Sequence, residues 1–238
     1  MSEQPASNPE VHRATVERLV ADALPVRRIW PVRRRLTAWL ALSGAILGVT
    51  SIDRFRPDLA HRLADPAYLG SVVLLLVAAI VTATLAFRAA EPGREARYRE
   101  SLGAVILVAL AIGLALAAPA GSDLTATVSA REAGPCAARE LALAALPWVA
   151  ILLALGRGAP VRSALAGAQA GAAACLAAAF QVRLLCPLDD RLHLLALHLA
   201  PIGIASLVSS ALCTAWFRRR AAAHSQQVRS IGIADRPS

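Results

Sequence analysis

The sequence predicts an all-α integral membrane protein with six transmembrane helices and both termini in the cytoplasm. Hydrophobic residues make up 57% of its 238 residues, well above the share that an ordinary soluble domain needs. They are concentrated in six apolar stretches, which short arginine-bearing loops separate. Because only helices and closed barrels satisfy every backbone polar group in lipid, stretches of this length predict helices.

Each predicted span is close to the length that a helix needs to cross the hydrocarbon core, about 20 residues. In chain order, the spans are Leu36–Ile52, Ala67–Phe87, Ser101–Ala118, Leu141–Leu155, Val161–Val182 and Leu192–Phe217.

The arginines predict the orientation. Residues 1–35 carry seven arginines, the second loop four, the fourth loop two and the tail after the last span five, whereas the other three loops share seven. Basic residues near span ends stay on the cytoplasmic side of a membrane. Both termini are therefore expected inside, and the first, third and fifth loops outside. This placement also explains the net charge of +9, which in a soluble chain would suggest nucleic-acid binding.

The fourth span, Leu141–Leu155, is the shortest and contains Pro147. Length alone would allow a buried helix that does not cross the membrane. With only five spans, however, the arginines at 218–220 would face outward, against the charge rule, so we retain six. The polar first 35 residues do not resemble a cleavable signal peptide, and the first span is expected to act as a signal anchor.

Three regions follow: a cytoplasmic segment at 1–35 with an amphipathic helix, a six-helix transmembrane domain at 36–217, and a basic cytoplasmic tail at 218–238 that is expected to be disordered. Below about 40 residues a segment rarely forms its own core. Any cytoplasmic activity must therefore be binding by a short element or work done within the bundle.

The N-terminal segment contains a helix that begins near Asn8 and ends before Pro25. Its apolar stripe has helical spacing and comprises Val16, Leu19, Val20, Ala23 and Leu24. Two interpretations remain open. The helix can lie on the membrane surface, or it can dock in the groove of a partner and become ordered on binding.

Four cysteines fall into two groups. Cys175 and Cys213 lie within spans, where a thiol usually packs as a small apolar residue. Cys136 and Cys186 lie in the third and fifth loops, on the same, outer side, and each has a neighbouring proline. This pair predicts either a permanent disulfide or a redox-sensitive or soft-metal site, since thiolates favour zinc, cadmium and copper(I).

Two histidines accompany the sixth span. His193 is placed to reach Cys186 or the acidic pair Asp189 and Asp190, whose expected role is to cap the sixth helix. His198 lies deeper, as a functional group or as the donor to a carbonyl freed by the Pro201 kink. Five residues apart, the two histidines are expected on different helix faces, poorly placed to chelate one ion.

Two pairs of glycines have the spacing that allows close helix contact in membranes, Gly44 with Gly48 in the first span and Gly167 with Gly171 in the fifth. The cores of the predicted spans contain no Asp, Glu or Arg, which disfavours an ion-coupled carrier.

The sequence also has no phosphate-binding glycine loop and no credible nucleophile–base pair, so neither an enzyme nor a cofactor is expected. Two rivals remain. A small-molecule or metal permease would have to use the few polar residues in the spans, which are Gln169, His198, Ser206, Ser209 and Ser210. A membrane thiol oxidoreductase is disfavoured because no C-x-x-C motif is present.

Five stretches of the chain, in order, resemble the NrsF-like (negative regulator of sigma F) anti-sigma factors, six-span inner-membrane proteins of proteobacteria. The stretches are LVADALPVRRI, RPDLAHRLADPAY, GPCAARE, RGAPVRSALAGAQAG and CPLDDRLHLL, and the resemblance covers roughly residues 19–220. It implies that the protein holds an extracytoplasmic-function (ECF) sigma factor inactive at the membrane. It further implies that Cys136 and Cys186 respond to heavy-metal or oxidative stress. Where the family often has a histidine before the second cysteine, this chain has Leu185, which favours direct thiol chemistry.

The resulting hypothesis is a membrane anti-sigma factor of the bacterial inner membrane. Val16, Leu19, Val20 and Leu24 are the expected contacts with the sigma factor. Cys136 and Cys186 are the expected sensing residues, with His193 as a possible auxiliary ligand.

Overall fold

A computed structural model describes Arg13, Val16, Glu17, Val20 and residues 29–52, 54–91, 98–117, 130–158 and 160–234. Every regular element in these ranges is a helix. The elements are α1 (Val32–Ser51), α2 (Leu59–Leu63), α3 (Pro66–Ala89), α4 (Tyr98–Leu116), α5 (Ala130–Gly156), α6 (Ser163–Leu185) and α7, which joins Arg191–His193, a π-helical segment Leu194–Leu199 and Ala200–Ala234. The all-α prediction is confirmed for this part of the chain.

Six of these helices, all except the five-residue α2, coincide with the six predicted spans. Within the described residues, four helical stretches are long and apolar enough to cross a membrane: Pro66–Ala89, Pro135–Gly156, Ser163–Leu185 and Arg191–Ala223. The remaining two spans, and the cytoplasmic position of both termini, stay predictions.

Helix α6 forms the centre of the bundle. In its most apolar stretch 67% of the residues are buried, against 28% to 44% in the other three stretches. Alanines and glycines allow neighbouring helices to approach it closely. A Cβ atom added to Gly167 would lie 2.5 Å from the carbonyl oxygen of Ser209 on α7, and one added to Gly171 would collide with the backbone of Ala205. The predicted close contact at this glycine pair is confirmed.

The glycine pair in the first span behaves differently. An added Cβ atom at Gly44 or Gly48 would meet nothing within 4 Å, so the prediction of close contact there is wrong for the described residues. Two hydrogen bonds join helix α1 to the bundle beside its apolar contacts. Trp39 donates from Nε1 to the carbonyl oxygen of Pro147 on α5 at 3.0 Å, and Gln181 on α6 donates to the carbonyl oxygen of Ser43 at 3.2 Å.

Helix α5 is longer than the fourth predicted span. It has 27 residues, with Pro135 and Pro147 inside it, whereas the prediction began at Leu141. Cys136 therefore lies on a helix rather than in a loop. Glu140, which the prediction left outside the span, lies within it and is completely buried. The expectation of spans without acidic residues is wrong here. Counting apolar residues along the chain cannot predict a buried carboxylate whose hydrogen-bond partner lies on another helix.

The π-helical segment Leu194–Leu199 corrects the placement of the histidines. In a π-helix each N–H bonds the carbonyl five residues earlier, as Ala200 does to Leu195. Residues that are five positions apart in sequence then lie on the same side of the helix. The rings of His193 and His198 meet edge to face, with centroids 5.0 Å apart, although an α-helical register would have separated them.

The last helix continues to Ala234. The structure thus differs from the prediction of a disordered tail at 218–238, since most of this tail extends α7. Arg220 contributes to the first part of the extension by donating to the carbonyl oxygen of Gly156 at 2.7 Å.

Candidate thiol and histidine site

Cys136 and Cys186 meet at one end of the bundle. Cys136, half-buried, lies on α5, and Cys186, 5% exposed, directly follows α6. Their Sγ atoms are 3.9 Å apart, and both cysteines are free thiols. A disulfide has an S–S distance of about 2.05 Å, so a modest approach of the two helix ends would join them. The structure places the predicted pair together, 50 residues apart in sequence.

His193 completes a group of three ligand atoms. Its Nε2 atom lies 3.3 Å from Cys186 Sγ, and the side chain is 1% exposed. The two sulfurs and an imidazole nitrogen all lie within 4.8 Å of one another. Two thiols and one imidazole are the donor set that zinc and cadmium prefer, so the residues present fit a soft metal ion.

Asp190 fixes the start of the helix that carries His193. Its carboxylate accepts from the backbone N–H groups of Leu192 at 3.1 Å and of His193 at 3.0 Å, as expected of an N-cap. The predicted capping role is confirmed for Asp190. It is wrong for Asp189, whose carboxylate instead faces three arginines.

That arginine cluster holds the loop of Cys186 in place. Arg56, whose side chain is 1% exposed, donates to Asp189 at 2.8 and 3.1 Å, to the carbonyl oxygen of Pro187 at 3.3 Å and to Asp58. Arg62 and Arg183 also pair with Asp189. Burial alone would raise the pKa of Asp189, but the hydrogen bond from Arg56 and the surrounding positive charges hold this pKa below its usual value. The first and fifth loops are thereby linked beside the thiols.

Tyr68 on α3 supports the same cluster. Its hydroxyl donates to the carbonyl oxygen of Arg183 at 2.6 Å. The guanidinium carbons of Arg183 and Arg56 lie 4.6 and 5.3 Å from the centre of its ring, within range of a cation–π interaction. The aromatic ring therefore packs beneath the two arginines that determine the position of Asp189.

The Cys186 thiol is protonated at neutral pH. Burial raises its pKa to about 11, with the nearby Cys136 as a further cause. A protonated thiol is a poor nucleophile and a poor metal ligand. Capture of a metal ion at this sulfur consequently releases a proton, and affinity is expected to increase with pH.

A second buried pair lies beneath the thiols and was missed by the sequence analysis. His198 Nδ1 is 2.8 Å from Glu140 Oε2, and both side chains are 5% exposed or less. Two signals were available. Glu140 is four residues after Cys136 and so lies on the same face of α5, and His198 had already been identified as a costly group to bury. What the sequence could not provide was the π-helical register that turns His198 towards α5.

Comparison with known proteins decides the family. The family model described as "negative regulator of sigma F" matches residues 19–219. The chain belongs to the NrsF family. No curated protein and no solved structure matches it. The matched residues include all seven described helices up to Arg219 and every residue of the thiol and histidine site, so the site belongs to the part of the chain that defines the family. An NrsF protein negatively regulates a sigma factor, and a sigma factor is therefore its partner.

The remaining predicted residues of this NrsF protein lie elsewhere. Cys175 and Cys213, 2% and 1% exposed, are packed in the hydrophobic core.

In the N-terminal segment, Val16 and Val20 are helical, with exposed fractions of 50% and 69%. Leu19 and Leu24 lie outside the described residues. The two valines, which are two of the four expected contacts, are thus accessible to a partner.

Proposed function

We propose that this NrsF protein is an anti-sigma factor of the bacterial inner membrane that binds an ECF-type sigma factor through its cytoplasmic N-terminal segment. It releases the sigma factor when Cys136 and Cys186 capture a soft metal ion or are oxidised, with His193 as an additional metal ligand. The protein acts by binding rather than by catalysis. Membership of the family supports the sigma-factor partner, and the apolar helices support a membrane location.

One observation carries the sensing proposal: two thiols and an imidazole nitrogen, from α5, from the residue that follows α6 and from the start of α7, lie within 4.8 Å of one another. In the metal reaction each thiol loses its proton to solvent and the sulfur donates an electron pair to the ion. In the redox reaction the two thiols lose two protons and two electrons to a two-electron oxidant such as a hydroperoxide, which is reduced. Either reaction joins α5 to the end of α6.

The joined helices provide a route to the opposite end of the bundle. Helix α5 carries Cys136 near its start and ends at Gly156, where Arg220 of α7 donates to its last carbonyl. Halfway along, the bond from Trp39 couples α5 to α1, the helix that directly follows the N-terminal segment. A shift of α5 is therefore transmitted to the base of the predicted binding segment.

The energies involved are compatible with this route. A change from mostly holding to mostly releasing needs about 5 kcal/mol of differential binding. A disulfide contributes about 2–4 kcal/mol and a thiolate–metal site more. A signal at the thiols is thus of the right order to shift a two-state bundle.

The experiment compares sigma-factor retention by detergent-solubilised full-length protein before and after cadmium or a thiol oxidant. The double variant Cys136→Ser, Cys186→Ser is expected to retain the sigma factor under both treatments. The matched control, Cys175→Ser with Cys213→Ser, removes two core thiols and should release it as the wild type does. Release by the first variant would refute the sensing role.

The two chemistries and the binding segment are tested separately. His193→Ala is expected to weaken the response to cadmium while the response to oxidant remains. Deletion of residues 1–30 should abolish retention without any treatment. Continued co-purification of the sigma factor with the truncated protein would show that it binds elsewhere.

A further inference from the structure

A groove of about 800 Å³ lies at the end of the bundle opposite the thiols. It runs between the start of α1, the last residues of α3 and the end of α5. Its walls are apolar, with Trp39 and Phe87 at the back and small residues such as Ala154 along one side, while Trp30 and Arg157 lie at its rim.

Arg35 is buried in this groove and only partly bonded. The side chain is 7% exposed, and its Nη2 atom donates to Glu91 at 2.6 Å. Its Nε and Nη1 atoms have no hydrogen-bond partner among the described residues. The guanidinium carbon lies 5.7 Å from the centre of the Phe87 ring. Because an unpaired buried donor on a charged group is costly, two such donors indicate that a ligand completes this site.

The chemistry of the groove selects an anion with an apolar chain. A guanidinium presents paired N–H donors that match the oxygens of a phosphate. Among the described residues that line the groove, the charged side chains are Arg35 and Arg157, both positive, so the site favours an anion. The adjoining walls are lined mainly by alanine, tryptophan and phenylalanine side chains in the described part of the chain, and they suit a hydrocarbon chain.

We propose that this groove is a binding site for one anionic phospholipid, with the phosphate at Arg35 and one acyl chain along the apolar walls. Basic pockets between helices at the cytoplasmic side of membrane proteins bind such headgroups, and Trp30 has the amphipathic side chain typical of the interface. The bilayer around the helices supplies this ligand at high concentration. The proposal does not depend on the sensing role of the cysteines.

The experiment counts lipids bound to the intact full-length protein by native mass spectrometry, in micelles mixed with phosphatidylglycerol or phosphatidylcholine. The wild type is expected to retain one phosphatidylglycerol molecule and to bind it at least about tenfold more tightly than phosphatidylcholine. Arg35→Gln should remove this preference. Arg33→Gln is the matched control, since Arg33 is an exposed arginine on the same helix.

A second, steric variant keeps the test valid if Arg35→Gln does not fold. Ala154→Leu narrows the groove while Arg35 stays in place, and it should lower phosphatidylglycerol retention several-fold. Equal retention of the two lipids by the wild type, or an unchanged preference in Arg35→Gln, would overturn the proposal.

Further arms of the same experiment distinguish a lipid from two other occupants of the groove. Binding of inorganic phosphate in lipid-free detergent, with the same dependence on Arg35, would make the site one for a free anion. A several-fold gain in lipid retention in Asp22→Asn would indicate that the N-terminal segment of this chain, through the carboxylate of Asp22, occupies the groove. Either result would also overturn the lipid assignment.

Discussion

Glu140 and His198 form a buried polar pair across two helices, with Oε2 of Glu140 2.8 Å from Nδ1 of His198. Glu140 lies one turn beyond Cys136 on α5, and His198 contacts the ring of His193 on α7. The pair therefore connects the two helices directly beneath the candidate sensing residues.

Removal of one member of this pair is expected to destabilise the bundle strongly. Glu140→Leu leaves the imidazole without its partner, and His198→Leu leaves a buried carboxyl group without its partner; each should lower the free energy of unfolding by about 2 kcal/mol. Reversible unfolding in micelles measures this energy. The double variant should be less destabilised than the sum of the single variants. Glu100→Gln, which removes the half-exposed ion pair with Arg88, should cost about 1 kcal/mol or less; a similar cost for Glu140→Leu would contradict the prediction.

The reactivity of Cys186 should increase steeply with pH. Its pKa is raised to about 11, so below that value the thiolate fraction increases about tenfold for each pH unit. A variant with Cys136, Cys175 and Cys213 changed to serine leaves a single thiol, whose alkylation by iodoacetamide can be followed by mass. Burial is the largest cause of the shift and persists without Cys136, so the steep region should remain above the usual thiol range. A rate that reaches its plateau near pH 9 would contradict the burial argument.

Arg56 is expected to determine the acid stability of the first and fifth loops. Because the pKa of Asp189 is lowered in the fold, its contribution to stability is present above the unfolded value of about 3.9 and is lost as pH falls. Arg56→Gln should cost about 3 kcal/mol at pH 7 and should flatten the decline of stability between pH 5 and pH 3. Arg54→Gln, an exposed neighbour, provides the control. Parallel pH profiles for the wild type and Arg56→Gln would rule out this role.

The two glycine pairs should respond oppositely to substitution. Gly171→Leu forces a side chain into the backbone of α7 at Ala205 and should destabilise the protein by about 1–3 kcal/mol or prevent its folding. Gly44→Leu meets open space and improves helix propensity, so its stability should be unchanged or slightly higher. Thermal unfolding of both variants in the same detergent tests the contrast, and equal losses would show that α1 also packs closely at Gly44.

Local patterns in the sequence were sufficient for several features. The positions of the six long helices follow from runs of apolar residues, and the start of α7 follows from an aspartate at an N-cap position. Placement of Cys136 and Cys186 on one side follows from counting spans between them. Each of these features depends on residues that are near one another in the chain.

Which side chains meet across the bundle depends on how distant helices pack. Helix α5 accommodates Glu140 because His198 faces it from α7, and His198 faces it because the π-helical segment changes the register by one residue. Asp189 does not cap a helix because its carboxylate pairs with arginines from the first loop and from α6.

The glycine pairs Gly44/Gly48 and Gly167/Gly171 have identical spacing, yet only the second pair faces another backbone. Hydrophobic periodicity shows which face of a helix is apolar. The residues that contact this face come from helices distant in sequence, and the sequence pattern does not identify them.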